Sequence, residues 1–311
     1  MSTIVYNVQD EYEDLRIDRY LAEQSEELSR SYIQKLIKDG NLLVNEKPCK
    51  SSYKVQTEDV IRFDVPENIY PEILPENIPL DILYEDSDVI VINKPKGMVV
   101  HPAAGHYSGT VVNALMYHCK DLSGINGVLR PGIVHRIDKD TSGAIICAKN
   151  DIAHRSLAEQ LKVHSITRKY EAIALGTFKE ISGTIEGNIG RRPNDRKLMG
   201  IIPNGKPAIT HYQVLNQFAK CAHIECVLET GRTHQIRVHM ASKHHPLLGD
   251  VLYGGKSAAY KLNGLELEGQ TLHAKILGFE HPVTHNYIEC EAPRPKYFEK
   301  LLEKFSKEKM S

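Results

Sequence analysis

No stretch of this chain is apolar enough to cross a bilayer, because the run of ~18 consecutive apolar residues that spanning requires is nowhere found. The segment from Met1 to Arg16 is polar and acidic and has no apolar centre, so it does not read as a secretion signal. A charge excess is missing as well. With 39 Lys/Arg against 40 Asp/Glu the net charge is −1, so no global basic field announces a nucleic-acid partner and local patches must carry that argument. Six cysteines (Cys49, Cys119, Cys147, Cys221, Cys226 and Cys290) lie far apart with no CxxC pair. They read as reduced thiols of a cytoplasmic protein rather than as a disulfide framework, and no ligand pairs stand at zinc spacing, so no metal site is expected.

Cofactor and nucleotide motifs are equally scarce. There is no GxGxxG after a strand, no HExxH, no GxSxG and no EF-hand loop. Gly255-Lys256-Ser257 resembles the end of a phosphate loop, but the first glycine of that motif would fall on Asp250, which puts the loop out of register. The chemistry must then be run by side chains alone.

What is present is a chain of 311 residues with an ordinary globular mixture, 41% hydrophobic and 25% charged, which is comfortable for two domains. Leu15 to Leu28 reads as a first helix. A second runs from an N-cap at Ser29 through Ile33, Leu36 and Ile37 to Gly40, where a glycine just past a helix end belongs. Leu42–Val44 and Val60–Val65 read as strands around a turn at Asn45–Pro48, giving a small α/β unit over residues 1–65. Pro66, Pro71, Pro75 and Pro79 fix extended backbone, so residues 66–79 read as a linker. From Leu80 strand-like runs alternate with fewer helices: Val89–Ile92, Ile133–Val134, Ala144–Cys147, Lys169–Leu175 and His223–Leu228 are strands. A helix follows a cap at Asn150 or Asp151, and another closes the chain through Tyr297, Phe298, Leu301 and Phe305. Without regular βαβ alternation, residues 80–311 are expected to be an α+β domain, a mixed and largely antiparallel sheet with flanking helices.

The densest segment is PGIVHRIDKDTSGAIICAK, residues 131–149. His135, Arg136, Asp138, Lys139, Asp140, Thr141 and Ser142 crowd between two apolar runs, and a polar loop held by buried strands is a rigid platform for reacting groups. A second segment, Glu229–Gly254, packs Arg232, His234, Arg237 and His239 around Ile236 and Val238. Inward-facing basic residues need a buried partner or an anionic ligand. An arginine beside Asp138 would fix the carboxylate through charge-assisted hydrogen bonds, and both Arg237 and Arg232 are candidates.

These blocks resemble a known family. HRIDKDTSG at 135–143 is similar to the signature of RluA/RluD-type pseudouridine synthases. NKPKGMVVHP at 93–102, RKYEAI at 168–173 and GRTHQIRVHM at 231–240 resemble that family's other blocks in the same order. LRIDRYLAE followed by SRSYIQKLIKDGNLLVNEKP resembles the S4-type RNA-binding domain. The resemblance implies that Asp138 is the catalytic aspartate. It implies that Arg136 enters the RNA beside the target uridine, that Tyr170 stacks on the extruded base, and that Arg237 is the basic partner of Asp138. His135, Arg232 and Ile236 are expected to line the substrate site.

Making pseudouridine breaks the N1–C1′ bond of uridine, turns the base and rejoins it through C5. There is no redox change and no phosphate transfer, so no cofactor is expected. A carboxylate can serve as nucleophile at C1′ or as base at C2′, and the sequence leaves both open. A base inside folded RNA must first leave the stack, at a cost of a few kcal/mol. An aromatic face recovers on the order of 1–3 kcal/mol of that. From its spacing alone Tyr170 could equally be a core tyrosine on a strand.

Residues 1–65 hold nine Lys/Arg and thirteen Asp/Glu, yet between Ser29 and Lys54 the balance reverses. Arg30, Lys35, Lys38, Lys47, Lys50 and Lys54 there face only Asp39 and Glu46, a concentration suited to neutralising phosphates. Arg191, Arg192, Arg196 and Lys197 form a second basic loop. The partner expected is RNA, ribosomal through the RluD-like domain arrangement, with transfer RNA as the alternative, and the chain is expected to be a monomer. Two other readings stand beside this one: an RNA-binding assembly protein without catalysis, and a hydrolase using Asp138 and Asp140 as paired acids.

Overall fold

The structure is a computed structural model; it describes residues 2–24, 30–65, 73–102, 107–120, 122–125, 131–193, 195 and 198–308. Two compact units divide at Glu72 and Ile73. In the first, strand β1 (Ser2–Asn7) precedes helices α1 (Ile17–Gln24) and α2 (Arg30–Lys38), followed by β2 (Leu42–Val44), β3 (Lys47–Pro48) and β4 (Val60–Val65). The strands form one antiparallel sheet in the order β1-β4-β2-β3. β1 was not anticipated from the sequence. Val5 on it is 53% exposed, so the strand carries too weak an apolar alternation to be seen, and pairing with β4 is what makes it a strand. Ile17, Tyr20, Leu21, Ile33 and Leu36 from the helices pack on Val44, Ile61 and Phe63. Gly40 closes α2 at φ +77, and Asn41 N–H returns to the Leu36 carbonyl at 2.9 Å, the expected left-handed end. Ser29, Pro66, Pro71, Arg196 and Lys197, and the side chains of Arg30 and Lys35, lie outside the described residues.

The second unit opens with β5 (Ile82–Glu85), β6 (Val89–Lys94), α3 (Val111–His118), β7 (Ser142–Ala148), α4 (Asp151–Lys162) and β8 (Thr167–Leu175). It continues with β9 (Ser182–Arg191), β10 (Met199–Ile201), β11 (Lys206–Gln217), β12 (Cys221–Leu228), α5 (Gln235–Ser242) and the short α6 (Val251–Gly254). It ends with a small ribbon of β13 (Lys261–Leu262) and β14 (Leu265–Glu266), then β15 (Leu272–Glu280), β16 (Tyr287–Glu291) and α7 (Lys296–Glu308). The main sheet runs β10-β9-β11-β12-β8-β15-β7-β6-β5, with β16 on β15. Among the described residues its strands pair antiparallel except β15 with β7. This is the mixed, largely antiparallel sheet with flanking helices that the sequence pattern predicts.

The central strands are buried on both faces, which is why they read as continuous apolar runs. Ile90, Ile92, Ile145 and Cys147 face the core under α3 and α5, whereas Val89, Val91, Ala144 and Ile146 face α4. Asn150 rather than Asp151 caps α4, its side chain accepting the Ala153 N–H at 2.9 Å. α7 presses Phe298, Leu301 and Phe305 on Ile173 and Cys221. Within 73–79 the backbone is anchored: Ile73 is buried, Glu76 N–H donates to the Asn113 carbonyl, and the Asn113 side chain donates to the Leu74 carbonyl. Ile133–Val134 is not a strand. Ile133 makes one bridge to Cys147, and the His135 Nε2 then accepts the Ile146 N–H at 3.1 Å, taking the donor that a continuing strand would have used. Among the described residues no helix is long and apolar enough to cross a membrane.

Candidate active site

The loop between Ile133 and Ser142 is held from beneath by two lysines, one buried and one half-buried. Lys94, at the end of β6, is fully buried, and its Nζ donates to the carbonyls of Pro95, Met98 and Lys139 at 2.9, 2.8 and 3.0 Å. Lys96 Nζ donates to the carbonyls of Asp140 and Gln270 at 3.2 and 2.6 Å. Burial pulls Lys94 down to about 7 and Lys96 down to about 8, with Asp140 acting against the shift in both. A turn closed by Thr141 N–H on the Asp138 carbonyl, 3.1 Å, completes the loop. The backbone around Asp138 is thus pinned through its carbonyls, and the carboxylate is left for the cleft above.

That carboxylate meets α5. Arg237 Nη1 donates to Asp138 Oδ2 at 3.0 Å, while Arg237 Nε and Nη2 donate to the two oxygens of Asp250 at 2.7 and 2.9 Å. Exposure rises along this chain, from 1% for the Asp250 side chain through 8% for Arg237 to 20% for Asp138, so the clamp is dry at its root and open at its tip. Burial alone would push the Arg237 guanidinium down. The hydrogen bonds and charge of Asp250, joined by Asp138, outweigh it and hold the cation firmly protonated. The ring of Tyr253 lies under the same guanidinium at 5.0 Å, a cation–π contact. Its hydroxyl meets His234 Nδ1 at 2.7 Å, and His234 Nε2 stands 3.7 Å from Asp138 Oδ1. Burial lowers the His234 proton affinity, opposed by the Asp138 charge. Among the described residues nothing hydrogen-bonds Asp138 Oδ1.

The cleft over Asp138 is lined by Arg136, Ile137, Tyr170, Arg232, Ile236 and Arg237, among others. Tyr170 is on β8 with Ala172 and Ala174, on the face that carries Ile236 and Met240 of α5. Burial raises its phenol, Arg168 works against that and Asp138 with it, so the ring presents a neutral hydroxyl. Arg136 is exposed at the rim, its Nη1 3.4 Å from His101 Nε2. Of the two candidate partners for Asp138, Arg237 makes the contact, whereas Arg232 Nε donates to the Pro207 carbonyl at 3.0 Å. His135 lines the adjoining trough, but burial and then Arg168 lower it to about 3, and its Nε2 is spent on the sheet backbone. Arg232, His234, Arg237 and His239 therefore do not share one face. Arg232 and His234 precede α5, and His239 Nδ1 goes to Thr210 Oγ1 at 2.9 Å. Asp140 lines the neighbouring cleft with Lys139, Gly249 and Gln270 rather than the one holding Tyr170.

Sequence reasoning missed Asp250, Tyr253 and the two lysines. Asp250 has no spacing signal toward Arg237, thirteen positions away. The usable hint was chemical: a buried arginine has more donors than one carboxylate can take. Lys94 and Lys96 flank Pro95 at the end of an apolar strand, where a buried ammonium is not expected from composition. In the N-terminal unit the described basic positions Lys38, Lys47, Lys50 and Lys54 are all exposed.

A loop-borne carboxylate gripped by a buried arginine, beside an aromatic wall on a largely antiparallel sheet, is an arrangement suited to general-base or nucleophilic chemistry by a side chain. Comparison with known proteins makes the class specific. A sequence model of the RNA pseudouridylate synthase family matches residues 88–242, and one of the S4 domain matches residues 15–61. The chain is 49% identical to an uncharacterized RNA pseudouridine synthase, YlyB, of Bacillus subtilis (strain 168), over 99% of both chains. It is 44% identical to the ribosomal large subunit pseudouridine synthase D of Zymomonas mobilis, over 90% of each. Among solved structures it is similar to human RNA pseudouridylate synthase domain containing 1, with a TM-score of 0.58 and 27% identity over 71% of this chain and 85% of that one. The chain belongs to the RNA pseudouridine synthase family: it is an isomerase acting on RNA.

Proposed function

We propose that this enzyme converts specific uridines of large-subunit ribosomal RNA to pseudouridine, with Asp138 as the reacting group. The observation that carries the assignment of Asp138 is the Nη1 of Arg237, which holds Oδ2 while Oδ1, among the described residues, accepts no hydrogen bond above a cleft walled by Tyr170. The target nucleotide turns out of the RNA, its base lies against the Tyr170 ring, and its sugar meets Asp138 Oδ1. Asp138 either attacks C1′, displacing N1, or removes the C2′ proton as the N1–C1′ bond breaks. The uracil stays in the cleft, turns, and bonds to C1′ through C5, as the Asp138–C1′ ester bond breaks on the first route or as Asp138 returns the proton to C2′ on the second. The C5 proton leaves and N1 gains one, so the reaction is balanced without cofactor or metal. Arg136 at the rim fills the place the base vacates, and Arg232 and Ile236 complete the wall.

The large-subunit substrate is supported by likeness to relatives bearing that name and by the S4 unit, whose exposed Lys38, Lys47, Lys50 and Lys54, together with Arg30 and Lys35, bind phosphates. The enzyme acts as a monomer in the cytoplasm. Mapping pseudouridine in the RNA of cells carrying Asp138→Asn tests the reading. Loss of modification at discrete uridines of the large-subunit RNA is expected. Loss confined to transfer RNA would replace the substrate, and unchanged modification would remove Asp138 from the chemistry.

A further inference from the structure

Next to the Asp138 cleft lies a second trough, lined by His135, Arg136, His164, Arg168, Tyr170, Gly231 and Arg232. Among the described residues Arg168 on its wall forms no ion pair. Arg168 on β8 is 7% exposed, and its Nε is buried without a hydrogen-bond partner. Its Nη2 reaches only the Glu229 carbonyl at 3.4 Å, a long contact. Among the described residues no carboxylate pairs with it. The Glu229 side chain is engaged elsewhere, with His211 Nε2 at 2.6 Å. A buried guanidinium without an anion is costly, and Arg232 nearby adds like-charge repulsion. Arg237 in the adjoining cleft, with two carboxylates of its own, shows how the same fold pairs a buried arginine when it is structural.

The chain passes close to Arg168 at Gly231, where an added Cβ would stand 2.5 Å from Nη1 and would push the guanidinium aside. The trough and the Asp138 cleft share Arg136, Tyr170, Leu228 and Arg232, so the two adjoin along one wall.

We infer that Arg168, backed by Arg232 and His164, is the subsite for a phosphodiester of the RNA strand next to the extruded uridine. That anion would supply the partner Arg168 lacks, and a planar fork suits it better than an ammonium would. The inference rests on the RNA-isomerase reading and adds to it where the strand leaves the active site.

The test uses the full chain and in vitro transcribed, unmodified large-subunit ribosomal RNA, with binding measured between 50 and 200 mM salt. For Arg168→Gln the slope of log affinity against log salt is expected to shrink by about 0.7 to 1, the share of one phosphate. Affinity at low salt is expected to fall on the order of tenfold, while the single-turnover rate at saturating RNA stays within a few-fold. Arg168→Lys should restore the slope but only part of the affinity. Gly231→Ala, which keeps the charge and displaces the guanidinium, should weaken binding with the slope retained, and it serves if Arg168→Gln does not fold. A wild-type slope and affinity in either Arg168→Gln or Gly231→Ala overturns the subsite. If the wild-type chain leaves that transcript unmodified, the large-subunit reading fails instead, and the same series is run on transcribed transfer RNA, where the slope decides the subsite independently.

Discussion

Asp250 takes the Nε and Nη2 of Arg237 at 2.7 and 2.9 Å, and only Nη1 is left for Asp138, at 3.0 Å. The Asp138 carboxylate is thus oriented by an arginine that is itself fixed from the far end by a carboxylate with 1% exposure. Two bonds hold the root and one holds the tip. The geometry of Asp138 accordingly depends on a buried residue that does not touch it directly.

Asp250→Asn should therefore damage both stability and catalysis. It leaves a buried guanidinium with half its charge compensation removed, a class of change that costs about 3–5 kcal/mol. Chemical denaturation followed by circular dichroism measures the first effect, and single-turnover pseudouridine formation the second. A variant with wild-type rate would show that Arg237 keeps its place without Asp250.

Arg237→Lys preserves one positive charge but not the fork. An ammonium cannot serve both Asp250 oxygens and Asp138 in the same plane, so Asp138 Oδ2 loses its fixed donor. The expected outcome is a fall in the single-turnover rate on the order of a hundredfold, with RNA affinity changed only a few-fold. A drop in affinity alone would make Arg237 a binding residue.

Tyr170 can be divided by two substitutions. Tyr170→Phe keeps the aromatic wall of the cleft, and Tyr170→Ala removes it. RNA affinity should survive in Phe and fall in Ala by the worth of one stacked base, about 1–3 kcal/mol. Any rate lost by Tyr170→Phe at saturating RNA then reports the hydroxyl, which burial keeps protonated.

Acid sensitivity of the fold should begin well above the carboxylate range. His239 on α5 is fully buried, and burial lowers it from 6.5 to about 4, against a backbone hydrogen bond with Gly187 that works the other way. Between those values the unfolded chain binds the proton and the folded chain does not. The stability contributed by the neutral ring is complete above about 6.5 and is lost as pH falls toward 4. Denaturant midpoints measured across this range should decline more steeply for the wild-type chain than for His239→Gln. Parallel curves would show that His239 takes up its proton equally in both states.

Much of this was legible in local pattern. The runs that became β6, β7 and β8 are apolar enough to be strands, Asn150 stands where a helix cap stands, and Gly40 ends α2 as glycine ends helices. Ile133–Val134 was misread for the opposite reason. It has strand composition, but its pairing is ended by a side chain, His135, whose ring accepts the Ile146 N–H. β1 was invisible because its partner β4 lies more than fifty residues away, and a strand's pairing is a long-range property.

By itself the sequence determined the chemistry available: the order of its blocks, the carboxylate at 138, the tyrosine at 170 and the basic cluster around 237, because residue type and local spacing are carried along the chain. Only the tertiary structure decided which charge meets which. It set Arg237 rather than Arg232 on Asp138, supplied Asp250 and Tyr253 beneath it, slid two lysines under the loop, and buried Arg168 with no carboxylate against it among the described residues. Those pairings join residues from separate strands and helices, and their energies come from burial and distance, which no one-dimensional spacing encodes.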